Sequence, residues 1–470
     1  MKRGHVPTAG LAPLYLKLYD DLLPQLRAGF DGFIRQIGEA LEGLGIAVVR
    51  APVCCVASEL AAAVAKIEAA GADCLVTLHL AYSPSLEAID VLCRTRLGLV
   101  LLDTTMDTEF GVDVAPERIM YNHGVHGVMD LACMLRRRKR EFDIVAGHYA
   151  AAGVMERTAD LVRANYAAGA WPGSRVLRVG EVFAGMGDFA VAEETLAAKL
   201  GIHVSGVDME TLDAAIGEVS DEAVTGEVGE DRGRFVCELP AEAHWRSAKV
   251  GLGLRQMMEM GGYDGLSVNF QAFNRSDRPA NTMPFLEISK AMGRGIGYGG
   301  EGDVLTASLV GALACAFGAV TFTEVFCADW AGENLFLSHM GEISPAVAGD
   351  RPRIIAKPLF SGGSLDPAIL TCAVKPGPAA LVNLAPGADD SFSLIVAPVE
   401  VLAEGAGLAS AMRDTIRAWV RPRMKVGPFL EAYAQAGGTH HSALVIGERA
   451  KAVAVFGRRC GLKVVELPQE

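Results

Sequence analysis

The chain of 470 residues has room for about three domains, and its 51% hydrophobic and 21% charged residues supply ample apolar material for cores, which excludes global disorder. Lys and Arg number 43 against 56 Asp and Glu, and the resulting net charge of −13 repels phosphate backbones and argues against a nucleic-acid partner. Ten cysteines form no C-x-x-C pair and sit mostly in apolar runs, the usage of a reduced, cytosolic protein rather than a disulfide framework.

In chain order, the opening stretch is basic at Lys2 and Arg3 but interrupted by Pro7, Pro13, Lys17 and Asp20, so it does not read as a signal peptide. Gly32 to Leu44 has helical spacing, Ile46 to Val49 is a β-branched run, and Glu59 to Ala69 is helical again. Cys74 to Leu78 and Leu99 to Leu102 are apolar runs of strand length. This alternation predicts βαβ units around a parallel sheet. The basic run Arg136 to Arg140 follows an amphipathic stretch and reads as the cationic end of a helix. Ala170-Trp171-Pro172-Gly173-Ser174 breaks the pattern and marks a candidate boundary. A second α/β segment starts at Arg175 to Val179 and runs to about Cys327. Val304 to Thr323 is free of charge but rich in Gly, Ala, Ser and Thr, and bounded by Asp303 and Glu324; it reads as a buried helix entering a buried strand, not as a membrane span. Beyond it, short strand-like pieces at Arg353 to Ile355, Ile369 to Val374, Ser393 to Ala397 and Lys463 to Leu467 predict a β-rich end. The expected architecture is α/β: an N-terminal domain over 1–170, a central domain over 171–327, and a β-rich domain over 328–470.

The most unusual local composition is Gly295-Ile296-Gly297-Tyr298-Gly299-Gly300-Glu301-Gly302-Asp303, in which glycines surround two carboxylates just before a helical run. Asp303 is a good N-cap for that helix. One reading is a flexible turn. Another is a dinucleotide fingerprint, Gly297-x-Gly299-x-x-Gly302 with Glu324 as the ribose acid, although no apolar β-branched run precedes it. A third makes Glu301 and Glu324 ligands of one divalent ion at a sheet edge. The cation would relieve the repulsion that otherwise forces a proton onto one of two buried carboxylates. Histidine is the natural complement: His339 follows Glu324 closely, and His440-His441 follow the turn Ala436-Gly437-Gly438-Thr439. Mixed oxygen and nitrogen donors with no thiolate suit Mn²⁺ or a similar ion better than a structural zinc.

At these residues the sequence resembles the L-arabinose isomerase and L-fucose isomerase superfamily. The likeness rests on GYGGEGDVLTA within Arg294 to Ala307, on Phe322 to Pro345 with LFLSHMGEISP, on AGGTHHS from Ala436 to Ser442, and on Asn122 to His148. It implies two Rossmann-like parallel-sheet domains followed by a β-rich C-terminal domain, in trimers or hexamers. It further implies Glu301, Glu324, His339 and His441 as ligands of Mn²⁺ (or Co²⁺ or Mg²⁺), with His440 as the adjacent alternative. Glu301 and Glu324 would also be the acid/base pair. His123 and His126 would meet the sugar in a neighbouring subunit's site, and Met186 would line the pocket. The implied reaction interconverts an aldose and a ketose on a free monosaccharide, with no membrane partner. A non-catalytic sugar-binding protein is the other class that tandem Rossmann-like halves allow. Two departures bear on the sugar. The chain starts KRGHVPTAGLAPLYLKLYDD, closer to fucose-isomerase-like proteins, and Val325-Phe326-Cys327 replaces the acidic-aromatic residues usual after the second glutamate.

Overall fold

The start KRGHVPTAGLAPL contains a strand that its prolines conceal. Thr8–Leu14 (β1) is buried throughout and lies inside a parallel sheet in a computed structural model, which describes residues 5–358, 363–405 and 407–468. Pairing of β1 with Ala47–Arg50 (β2) ends at Leu11 opposite Arg50, so Pro13 lies past the paired stretch and its missing N–H costs no ladder bond there. Cys74–His79 (β3), Gly98–Asp103 (β4) and Asp143–Ala146 (β5) complete the sheet in the order β2-β1-β3-β4-β5. The amphipathic helix Val125–Arg137 turns Val128, Leu131 and Leu135 inward and ends on Arg136 and Arg137, as expected for a cationic C-terminus. These elements belong to a compact unit that ends at Gly169; a second unit begins at Ala170.

The second unit opens with a parallel sheet of Arg175–Val179 (β6), His203–Val207 (β7), Gly265–Val268 (β9) and Gly297–Gly300 (β10), in the order β10-β9-β6-β7; Val236–Glu238 (β8) leaves it to pair elsewhere. The glycine run is therefore neither a flexible turn nor a phosphate loop but a buried strand. A side chain at Gly297 would place Cβ 1.9 Å from the Ala307 carbonyl oxygen, and one at Gly299 would place it 2.2 Å from that of Asp303. Glycine lets the helix Val304–Phe317 lie directly on this strand. That packing fills the side of Gly299 where the nucleotide reading needs room for a pyrophosphate.

The β-rich part is a closed antiparallel barrel. Gly377–Pro386 (β15), His441–Ile446 (β18), Val320–Asp329 (β11), Asn334–Ser338 (β12), Ala418–Pro422 (β17) and Phe392–Val401 (β16) follow one another, and β15 pairs with β16 to close the ring. Lys463–Glu466 (β19) adds to β16 in parallel. Arg353–Ala356 (β13) and Ala368–Thr371 (β14) join β8 in a small separate sheet. The strand bearing Glu324 is thus hydrogen-bonded into the barrel, although its sequence position runs on from the central segment. Alternating residues such as Leu335, Leu337, Leu381, Ile395 and Leu444 fill the barrel core. All ten cysteines are free, and no helix among the described residues is long and apolar enough to cross a membrane.

Candidate metal centre

Glu301 follows β10 in the left-handed backbone region, with φ +62°. A non-glycine residue there carries strain on the order of 1–3 kcal/mol. It is held by two main-chain bonds: its N–H donates to Val268 O at 3.0 Å, and its carbonyl accepts from Phe183 N–H at 2.9 Å. Next comes Asp303, fully buried. Its Oδ1 caps the following helix by accepting from Thr306 N–H at 2.8 Å, while Oδ2 lies 3.0 Å from His441 Nδ1.

The barrel supplies the other groups through its register. On β11, Glu324 sits opposite His441 of β18 and Ser338 of β12. Opposed residues of an antiparallel pair share a face, so Glu324 and His441 point the same way, and His339 enters from the end of β12. Gly300 leaves the room: a Cβ there would stand 2.9 Å from His339 Cε1 and 3.5 Å from His441 Cε1. Phe322 packs edge-on against both rings, and Phe189 stacks on His441 with centroids 5.2 Å apart.

Glu301 Oε2 lies 3.7 Å from Nε2 of both His440 and His441, and Glu324 Oε2 lies 3.9 Å from His339 Nε2. Two groups of donor atoms, Glu301/His440/His441 and Glu324/His339/His441, each lie within 4.8 Å of one another, and His441 belongs to both. His441 Nε2 is buried and has no hydrogen-bond partner. An orphaned imidazole nitrogen aimed at two carboxylates is the donor arrangement that a cation completes.

Each inward-facing histidine is braced by a carboxylate. Glu342, fully buried, accepts from Gly341 N–H at 2.6 Å, lies 2.7 Å from His339 Nδ1, and takes a further hydrogen bond from Tyr298. Asp303 does the same for His441, and Asp188 lies 2.6 Å from His440 Nδ1. Asn383 on β15 ties the turn before His441 by donating to Thr439 Oγ1 and His441 O, both at 2.6 Å. Of these, sequence reasoning assigns Asp303 only its capping role and gives none to Glu342, Asp188, Tyr298 or Asn383. The i, i+3 spacing of His339 and Glu342 is the one local signal among them.

Electrostatics separates the two glutamates. Burial pushes Glu301 upward, but the imidazoles of His440, His339 and His441 beside it outweigh this and hold its carboxyl below the usual value. For Glu324 burial wins over the same histidines and the carboxyl is raised. Burial opposes charge on His339, yet Glu342 raises it.

The remaining predicted residues are Met186, His123 and His126. Met186 sits half-buried in the loop between Phe183, bonded to Glu301, and Asp188, bonded to His440; its own N–H donates to Phe183 O at 3.2 Å. His123 and His126 belong to the N-terminal unit, where their rings meet edge-on at 5.2 Å. Tyr19 Oη lies 3.2 Å from His123 Nε2, and Tyr82 packs on His126.

Comparison with known proteins gives the same answer twice. Residues 175–317 match the L-arabinose isomerase central domain, and residues 319–463 match the L-arabinose isomerase C-terminal domain. An L-arabinose isomerase of Herpetosiphon aurantiacus is 27% identical over 82% of this chain and 78% of its own length. Those of a Nocardioides species (30% identical, covering 69% and 66%) and of Geobacillus thermodenitrificans (27%, covering 83% and 80%) are similarly related. The chain belongs to the L-arabinose isomerase and L-fucose isomerase superfamily and is a sugar isomerase.

Proposed function

We propose that the protein interconverts an aldose and a ketose, acting on a free monosaccharide at a divalent-cation centre held by Glu301, Glu324, His339 and His441. The observation that carries this reading is the partnerless, buried Nε2 of His441, directed at Glu301 while Asp303 occupies Nδ1. Two carboxylates and two imidazoles, with no thiolate, suit Mn²⁺, Co²⁺ or Mg²⁺. When bound, such an ion would act as a Lewis acid on adjacent sugar oxygens and favour the charge that builds up when a proton leaves the carbon beside the carbonyl.

The chain's own groups do the rest. Glu301 and Glu324 share His441 as a neighbour; one removes the proton from the carbon beside the carbonyl and the other assists its return, through an enediol. General acid/base help of this kind contributes about 10²–10⁴-fold. Asp303 and Glu342 keep the Nε2 atoms of His441 and His339 turned inward. His440 stands on the solvent side of Glu301, Met186 lies in the loop above it, and His123 and His126 are proposed to meet the sugar from a neighbouring copy in a homo-oligomer.

Protein stripped with EDTA should lose isomerisation of every aldose in a panel of pentoses, hexoses and 6-deoxyhexoses, and Mn²⁺ or Co²⁺ should restore it. Full turnover by metal-free protein would end this reading.

A further inference from the structure

Three imidazoles point Nε2 toward the two glutamates, and each has a carboxylate at Nδ1. Two of these pairs, His339–Glu342 and His441–Asp303, have side chains at most 3% exposed. The third differs. His440 and Asp188 are 31% and 36% exposed, and Asp188 comes from the loop after β6. Asp188 Oδ2 also accepts from the His440 main-chain N–H at 3.0 Å, so one carboxylate fixes both the ring and the backbone beneath it.

The loop is itself anchored to the site. Asn269 Nδ2 donates to Glu181 O at 2.7 Å, Phe183 N–H donates to Glu301 O at 2.9 Å, and Phe189 stacks on His441 at an interplanar angle of 9°. Consecutive loop residues Asp188 and Phe189 therefore brace consecutive histidines, 440 and 441.

We propose that Asp188 is a positioning residue: it locks His440 with Nδ1 on the carboxylate and Nε2 toward Glu301, at the wet side of the centre. There the ring hydrogen-bonds an oxygen of the open-chain sugar instead of joining the ion's ligands. This inference rests on the isomerase reading above. Without Asp188 the ring could turn over about its Cβ–Cγ bond and exchange the positions of nitrogen and carbon, which removes the ring nitrogen that the sugar oxygen meets. His440 is dispensable as a ligand because Glu301, Glu324, His339 and His441 already offer one donor each.

The test is a double-mutant cycle of Asp188→Ala and His440→Ala, with Asp188→Asn as the conservative variant that keeps an acceptor oxygen. Three quantities are read: kcat and KM for the best sugar of the panel, calorimetric affinity of the Mn²⁺-loaded protein for L-arabinitol as an open-chain probe, and Mn²⁺ affinity. Asp188→Ala should lower kcat/KM and arabinitol affinity about 10–100-fold. Asp188→Asn should recover part of the loss, and the double variant should be no worse than His440→Ala alone. Mn²⁺ affinity should stay within about threefold of the parent in all three variants, against a loss of about 100-fold or more in His441→Ala. Additive losses in the cycle, parent-like values for Asp188→Ala, or a fall in Mn²⁺ affinity equal to that of His441→Ala would overturn the proposal. A parent that binds arabinitol but turns over no sugar fails the isomerase reading alone, and one that does neither fails both.

Discussion

Glu342 shows how much of a metal centre lies outside its ligands. It touches no candidate ion position, yet three donors converge on its carboxylate, and one of them, His339 Nδ1, decides where that ring's other nitrogen points. Glu342→Gln keeps the volume but turns one acceptor oxygen into a donor. We expect Mn²⁺ affinity to fall about 10–100-fold while the metal-free protein melts within a few degrees of the parent. Calorimetric titration with Mn²⁺ checks this, and an unchanged affinity would remove Glu342 from the account. At this scale the sequence is partly legible. Glu301, Glu324 and His441 each sit in a distinctive local setting, respectively a glycine run, a strand after an uncharged helix and a glycine turn, and His339 follows Glu324 closely. Asp188 does not, because its bond to His440 spans 252 residues and no spacing rule connects them.

The strand Gly297–Gly300 does two separate jobs, and substitution can tell them apart. Gly297 faces helix main chain, where an added methyl would clash at 1.9 Å with the Ala307 carbonyl and neither side can yield cheaply. Gly297→Ala should therefore destabilise the protein by about 3 kcal/mol or more, measured by urea unfolding. Gly300 faces the His339 ring at 2.9 Å instead. Gly300→Ala should cost little stability but at least about tenfold in Mn²⁺ affinity, because Glu342 prevents the ring from moving away while keeping its aim. Equal effects of the two substitutions on both readouts would contradict this division. The glycines look like a loop in the sequence because composition reports backbone freedom but not the helix packed against it. In β1, likewise, prolines hide a strand whose pairing with β2 ends before Pro13 while its pairing with β3 runs on to Leu14. By contrast, the helix Val304–Phe317 and the strand after it are legible, since a charge-free run with an Asp cap admits few other structures.

Across the whole molecule, a buried ionic cluster joins the helices Asp221–Arg234, Ala241–Gly261 and Phe285–Gly293. Arg255 reaches Glu227 at 2.8 Å and Glu287 at 2.6 Å; Lys290 pairs with Glu227 and lies 3.0 Å from Asp231, which also meets His244 at 3.0 Å; Arg294 adds to Glu287. The same Phe285–Gly293 helix bonds Ser289 Oγ to Ile343 N–H at 3.1 Å, just after Glu342. The helix held by this cluster thus also braces the segment that follows Glu342. Burial pushes the Glu227 carboxyl up, but Arg255 and Lys290 outweigh it and bring it down to about 2 from an ordinary 4.5. In the unfolded chain Glu227 takes up a proton as pH drops below about 4.5, whereas in the folded protein it does so only near 2. Its contribution is therefore complete above that upper value and fades through the interval, by on the order of 3 kcal/mol in total. Urea unfolding across this range should show the loss, and Glu227→Gln should flatten the acid slope; an unchanged slope would place the acid sensitivity elsewhere.

The central claim is that four side chains from the parallel sheet's edge and the barrel share one cation. Anomalous diffraction from crystals of the Mn²⁺-loaded protein measures this directly. The account predicts one manganese peak bonded to Glu301, Glu324, His339 Nε2 and His441 Nε2, with His440 left on Asp188. A peak that omits either glutamate, or recruits His440 in place of His441, would contradict it.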